Sequence, residues 1–182
     1  MEVLAFVFIM FFVVGVALLM GWHKDLSYQD RKKYKIGIQT LEKHDYNKAF
    51  DYFDKAIQSN PKTSAILYAF RGRCHLHFKN YYHALSDCQK ALQIDYNLKE
   101  CYLDRGKAFF FLHQYEEALR EFEKAVWYYH EKSPEAYRFK GLTHYELGNT
   151  REAENDFKQA IRLKDEEANY YLLQIKKRQD VF

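Results

Sequence analysis

Apolar and polar positions follow two different patterns along this chain. From Val3 to Trp22 no charged residue occurs, and the run of about twenty residues is made of Val, Leu, Ile, Phe and Met with a few Ala and Gly, ending in Trp22. A helix rising 1.5 Å per residue spans the ~30 Å hydrocarbon layer in that length, so the run predicts a single transmembrane helix. Trp22 then falls at the interface, with His23 and Lys24 just outside it. A cleaved signal peptide is the competing reading. Such a peptide begins with basic charge, runs shorter and ends in a small-residue cleavage site; here the charge at the start is the acidic Glu2, and the small residues Gly15 and Ala17 fall midway through the run. Ala17 and Gly21 also form a small-xxx-small pair of the kind that packs two membrane helices together.

Beyond the run the pattern becomes periodic. Gly37, Gly72, Gly106 and Gly141 are separated by 35, 34 and 35 residues. Twelve residues after each glycine stands an alanine (Ala49, Ala84, Ala118, Ala153), and seven further on another (Ala56, Ala91, Ala125, Ala160). Between them recur Phe53, Cys88, Phe122 and Phe157. Self-similarity at this period predicts stacked supersecondary units, each a pair of amphipathic helices joined by a short turn. The first helix carries the glycine and the second both alanines, and the small residues let helix backbones approach while Phe or Cys fills the space between pairs. In the second unit the helices are placed at 66–78 and 81–94. Pro61 closes the first unit, and Ser133 before Pro134 is an N-cap with proline in the first turn. Residues 169–178 suggest one more helix, with apolar residues on one side and a basic end, capping the stack.

These columns resemble the tetratricopeptide repeat family. The third unit shows it best, with Tyr102, Arg105, Gly106, Phe109, Tyr115, Ala118, Leu119, Phe122 and Ala125 at the family's spacings. The resemblance implies an all-α, helix-turn-helix repeat solenoid of four units, at about 30–63, 65–98, 99–132 and 134–167. A transmembrane anchor at 1–23 and a juxtamembrane linker at 24–29 precede it, and a capping helix at 168–182 follows. The first unit departs most, with Lys33 where an aromatic is common and Thr40 where a larger side chain packs; the fourth has Thr150 for the usual Tyr.

Composition narrows the function. Lys plus Arg number 28 against 25 Asp plus Glu, a net charge of +3, too balanced for a nucleic-acid-binding surface. The only nearby basic excess, Lys24, Arg31, Lys32, Lys33 and Lys35, follows the apolar run and none precedes it. Positive charge stays inside, so a single-pass protein with its repeat domain on the cytosolic side is expected. Cys74, Cys88 and Cys101 are odd in number and without paired spacing, which points to reduced thiols. Eight histidines form no His-Glu-x-x-His motif, and there is neither a Cys-x-x-Cys pair nor a glycine-rich phosphate loop, so no catalytic residue, metal site or cofactor is expected.

What remains is protein binding. In the resembling family the first helices line a concave groove that takes peptides or protein tails. Residues flanking each glycine, opposite the packing column, are expected to point into it: Tyr34, Ile38, Phe70, Arg73, Leu103, Lys107, Phe110, Arg138, Phe139 and Tyr145. An aromatic lining with Arg73, Lys107 and Arg138 suits a segment carrying apolar anchors and a carboxylate. The family's carboxylate clamp, which holds the acidic tails of heat-shock chaperones, needs two Asn and three basic residues. Tyr34, Ile38, Phe70, Glu100 and Asp104 stand at those places. The expectation is therefore that chaperone tails are excluded, because Glu100 and Asp104 would repel an incoming carboxylate. The resulting reading is a membrane-anchored adaptor that holds a protein partner in its groove. The alternatives are the same solenoid on the periplasmic or lumenal face as an assembly factor, and a structural homo-oligomer.

Overall fold

The computed structural model describes residues 28–59 and 64–179, together with residue 12. The apolar run 3–22 and the segment 23–27 lie, residue 12 apart, outside the described residues. Among the described residues no helix is long and apolar enough to cross a membrane.

Residues 28–33 are helical and run through a turn at Tyr34 into α1 (Lys35–Glu42), with the Tyr34 amide donating to the Asp30 carbonyl at 3.0 Å. The remaining helices are α2 (Tyr46–Ser59), α3 (Ala65–His77), α4 (Tyr81–Ile94), α5 (Lys99–Phe111), α6 (Tyr115–Tyr128), α7 (Pro134–Glu146), α8 (Thr150–Arg162) and α9 (Glu166–Gln179). No strand occurs among the described residues, and each helix packs on its neighbours in the chain. The described residues form an all-α solenoid.

The repeat columns explain the packing. Ala49, Ala84, Ala118 and Ala153 are wholly buried, as are Ala91, Ala125 and Ala160, with Phe53, Cys88, Phe122 and Phe157 between them. Ala56, in the first unit, is only half-buried. Glycine is demanded by close approach: a Cβ on Gly106 would lie 2.5 Å from the Phe122 ring, and one on Gly141 2.9 Å from that of Phe157. The turn between the helices of each unit also repeats. His44, Lys79, His113 and Gly148, each seven residues past the repeat glycine, all take positive φ, at 62°, 61°, 59° and 79°. His44 and His113 make use of the position, each placing Nδ1 against a tyrosine hydroxyl two residues on, at 3.3 and 2.7 Å. Ser133 caps α7 as expected, its Oγ accepting from the Ala136 amide at 3.2 Å with Pro134 in the first turn. Ser64 caps α3 in the same way and donates to Asp30 Oδ2 at 2.6 Å, tying the first unit to the second.

The stack has an inner and an outer layer. The first helices of successive units approach one another, α3 with α5 and α5 with α7, and α9 continues the row against α7. No comparable contact joins α2 to α4, α4 to α6 or α6 to α8. Crowding on one side and spreading on the other is what curvature requires, so α3, α5 and α7 form the inner face. Helix α9 closes the described end with Ala168, Leu172 and Ile175 buried.

Candidate functional site

The ten residues expected to line the inner face divide into two groups. Tyr34, Phe70 and Leu103 are 5%, 5% and 4% exposed, so they belong to the core and not to an open lining. For Phe70 the reason is a ring contact that recurs two units on. Phe70 and Phe139, each two residues before a glycine, rest on the phenylalanine of the preceding unit: Phe70 stacks on Phe53 at 5.6 Å and 18°, and Phe139 on Phe122 at 5.7 Å and 24°. Ile38, Phe110, Phe139 and Tyr145 are half-buried. Phe110 meets Phe139 edge-on at 5.9 Å and Tyr115 at 5.6 Å, so the apolar part of the face is concentrated between the third and fourth units.

The three expected cations are present on this face, but none is free. Arg73 bonds Asp104 at 2.8 Å, Lys107 pairs with Glu135, and Arg138 pairs with Asp165 at 2.9 Å and Glu167 at 2.8 Å. Each partner comes from the next first helix, or from α9 and the turn before it. A fourth pair, Arg31 with Glu100 at 2.8 Å, joins residues 69 apart in the chain. Burial opposes the charge on Arg73, but Asp104 and, behind it, Glu100 outweigh burial and raise its pKa above the ordinary arginine value. The same burial, with Glu100 adding to it, raises the Tyr129 hydroxyl.

Two parallel clusters result. The Arg31 and Arg73 guanidinium carbons lie 5.7 and 5.6 Å from the centroid of Phe70, while Lys107 Nζ and the Arg138 guanidinium lie 5.3 and 5.2 Å from that of Phe139. Their acids differ in accessibility. The side chains of Asp104 and Glu100 are 2% and 18% exposed, against 42% for Glu135 and 67% for Glu167. Sequence reasoning missed Arg31, Glu135, Asp165 and Glu167 as members of this face. A signal existed, because Arg31, Glu100 and Glu135 all stand six residues before a repeat glycine.

A second set of ion pairs lies within units and is structural. The residue before each of the last three glycines is basic and the one fifteen after it is acidic: Arg71 meets Asp87 at 2.7 Å, Arg105 meets Glu121 at 3.5 Å and Lys140 meets Asp156 at 3.0 Å. Beside two of these stand His75 and His144, equivalent residues whose Nδ1 atoms are buried without a hydrogen-bond partner. Burial lowers the His75 pKa against the opposing pull of Asp87. Among the described residues no group of His, Cys, Asp or Glu is placed to hold a metal ion. All three cysteines are buried; burial pushes the Cys74 thiol up to about 12, and the bond to Cys101, with burial, holds Cys88 well above its usual value. Such thiols are inert.

Residues 103–168 match the family model described as tetratricopeptide repeat. The Hsp70/Hsp90 co-chaperone CNS1 of Saccharomyces cerevisiae is 39% identical over 87 residues, which cover 46% of this chain and 23% of that protein. DnaJ homolog subfamily C member 7 of Homo sapiens is 31% identical over 108 residues, 58% of this chain and 22% of that protein. The chain thus spans less than a quarter of the length of these curated relatives. Among solved structures, the first TPR of Spaghetti (RPAP3) bound to HSP90 peptide SRMEEVD superposes with a TM-score of 0.61 at 21% identity, covering 64% of this chain and 94% of that one. These findings overturn the exclusion of chaperone tails. The structure supplies the physical reason, because Glu100 and Asp104 do not confront a ligand as bare charges: Arg31 and Arg73 already neutralise them at 2.8 Å. The repulsion on which the exclusion rested is absent.

Proposed function

We propose that the chain, whose residues 103–168 match the tetratricopeptide repeat model, is an adaptor of that family that captures a protein segment on the inner face of its solenoid and holds it near a membrane. The observation that carries this reading is the cluster between the third and fourth units. There Lys107 and Arg138 lie over Phe139, beside Phe110, with Glu135 and Glu167 as their solvent-facing partners. An acidic segment takes those two carboxylates' places. Glu135 and Glu167 swing into water at little cost, since each is already well exposed, while the ligand's apolar side chain covers Phe110 and Tyr145. The relative named as an Hsp70/Hsp90 co-chaperone and the similar structure bound to an HSP90 peptide make an acidic chaperone tail the first ligand to try.

The membrane part rests on sequence. The charge-free run Val3–Trp22 has the length of a spanning helix, and the basic residues from Lys24 to Lys35 favour a cytosolic repeat domain. Four units at about 30–63, 65–98, 99–132 and 134–167, with the last helix as a cap, complete the proposed organisation. Tethering confines the inner face to the membrane surface and raises its effective concentration for partners there.

Calorimetric titration of the full-length chain with the peptide SRMEEVD tests the recognition. Saturable binding is expected, weakened about tenfold, or about 1.4 kcal/mol, in a Lys107→Ala variant, whose partner Glu135 is free to turn into water and whose melting temperature is expected to hold. Equal binding by this variant would move recognition off this cluster. Absence of binding by the wild type would remove chaperone tails as the ligand.

A further inference from the structure

The outer layer of the third unit carries a feature that the repeat does not require. Tyr102, Glu123, Lys124, Trp127 and Tyr128 line an open cavity of about 420 Å³. Tyr102, from the first turn of α5, and Tyr128, from the last turn of α6, stack with centroids 4.7 Å apart and planes within 8°. Trp127 stands at 88° to Tyr128 with centroids 4.6 Å apart, which makes a right-angled notch of two aromatic faces. The Tyr102 hydroxyl donates to the Tyr96 carbonyl at 2.8 Å and so fixes the floor. None of these five residues belongs to the inner-face cluster.

The repeat register separates what is architectural here from what is not. Tyr102 stands four residues before its glycine, where the second and fourth units also have tyrosine, Tyr68 and Tyr137. Trp127 stands twenty-one after its glycine, where the other units have Gln58, Gln93 and Arg162. The packing of a unit is therefore satisfied by a polar side chain in that column. Trp127 is 69% exposed, and an exposed indole that the fold does not need is the most informative residue a surface can carry.

Charge and shape select the ligand. Lys124 is held by the buried Glu121 at 2.8 Å, a carboxylate it shares with Arg105. Glu123 is exposed and, among the described residues, has neither a hydrogen bond nor an ion pair. Of the two charged residues lining the notch, Lys124 is engaged in an ion pair and Glu123 is not, which leaves Glu123 as the charge open to a ligand beside the aromatic faces. A cation inside the notch is disfavoured, because Lys124 Nζ already lies 5.9 Å from the Tyr102 ring. An apolar ring inside and a cation at the rim fit. On a surface this open, a segment ordered before it binds loses least entropy, and the polyproline II helix presents rigid rings on a backbone with no internal hydrogen bonds to give up. We propose that the Trp127 notch is a second docking site, taking a proline-rich segment in the polyproline II conformation with an adjacent arginine or lysine that pairs with Glu123. It is independent of the inner-face reading.

Calorimetry on the full-length chain in detergent micelles tests it with three capped peptides: five prolines followed by arginine, five prolines followed by glutamate, and an alternating glycine-serine peptide ending in arginine. The proline-arginine peptide is expected to saturate below about 1 mM and to bind best of the three. Trp127→Gln, the residue that two sister units carry in this column, is expected to weaken it at least about tenfold without moving the melting temperature. Glu123→Lys is expected to reverse the preference between the arginine and glutamate peptides. Failure to saturate, equal binding by Trp127→Gln, or a glycine-serine peptide that binds as well would each overturn the proposal. So would a trimethyllysine peptide that binds more tightly than the proline-arginine one. Light scattering that found a dimer converted to monomer by Trp127→Gln would overturn it too, assigning the notch to a second copy of the chain.

Discussion

The Phe70 and Phe139 clusters are built from the same repeat position and end in opposite states. At Phe70, Arg31 and Arg73 are met by Glu100 and Asp104, and the Asp104 side chain is only 2% exposed. At Phe139, Lys107 and Arg138 are met by Glu135 and Glu167, with side chains 42% and 67% exposed. Asp165, the buried partner of Arg138, keeps that guanidinium anchored whatever Glu167 does. The first cluster is thus a strut between units and the second an exchangeable contact. The lesson is that a cation on a repeat groove is read from the exposure of its acids: one held by a buried acid alone, as Arg73 is, is committed to the fold, and one with an exposed acid, as Lys107 and Arg138 have, keeps a contact that a ligand can replace.

The third unit supports both clusters, so the most damaging change is expected there. Ala118→Glu puts a carboxylate into a wholly buried site on α6 and is expected to cost about 4 kcal/mol or more. Urea denaturation measures it, and an unchanged midpoint would refute the packing column on which both clusters rest. The comparison itself is broken or sharpened by a matched pair. Arg73→Met strands Asp104 in the interior and is expected to cost about 3 kcal/mol. Lys107→Met, by contrast, frees Glu135 to turn into water and is expected to cost less than about 1 kcal/mol. Similar losses in the two would erase the distinction between strut and exchangeable contact. The smallest effect is a pH slope from His75 on α3. The His75 pKa is lowered by burial, with Asp87 and Asp54 opposing and His83 and Arg71 reinforcing. Below the ordinary histidine value of 6.5 the unfolded chain therefore takes up a proton that the folded chain resists. Stability is expected to fall as pH drops from 6.5 through the lower folded value, and His75→Gln is expected to remove that portion of the fall.

Much of the fold was legible because its signals are local. The glycine, alanine and phenylalanine columns report helix-on-helix contacts that recur every unit, and helix ends such as Ser133–Pro134 report their own hydrogen bonds. The α4 limits agree with expectation, and α3 is shifted by a single residue. The inner face was legible only in outline. Arg73, Lys107 and Arg138 do lie there, but their pairing joins residues 31, 28 and 27 apart, with the Arg31–Glu100 pair spanning 69. Nothing in the spacing of one unit announces which acid of the next will reach it. The exclusion of chaperone tails failed for this reason, since it read Glu100 and Asp104 as bare charges. Trp127 escaped notice differently: as one departure in an otherwise polar column, it is visible only when the four units are laid side by side.

The chain's own pattern determined its period, the helices of each unit, the small residues at their crossings and the polarity of the surface, because each depends on neighbours within one unit or on a column repeated four times. Tertiary structure alone decided which charges are spent on the fold and which are open to a partner. A carboxylate moved from the interior to the surface exchanges a costly desolvation for ready solvation by water. That difference separates Asp104 from Glu167, and the strut from the binding face.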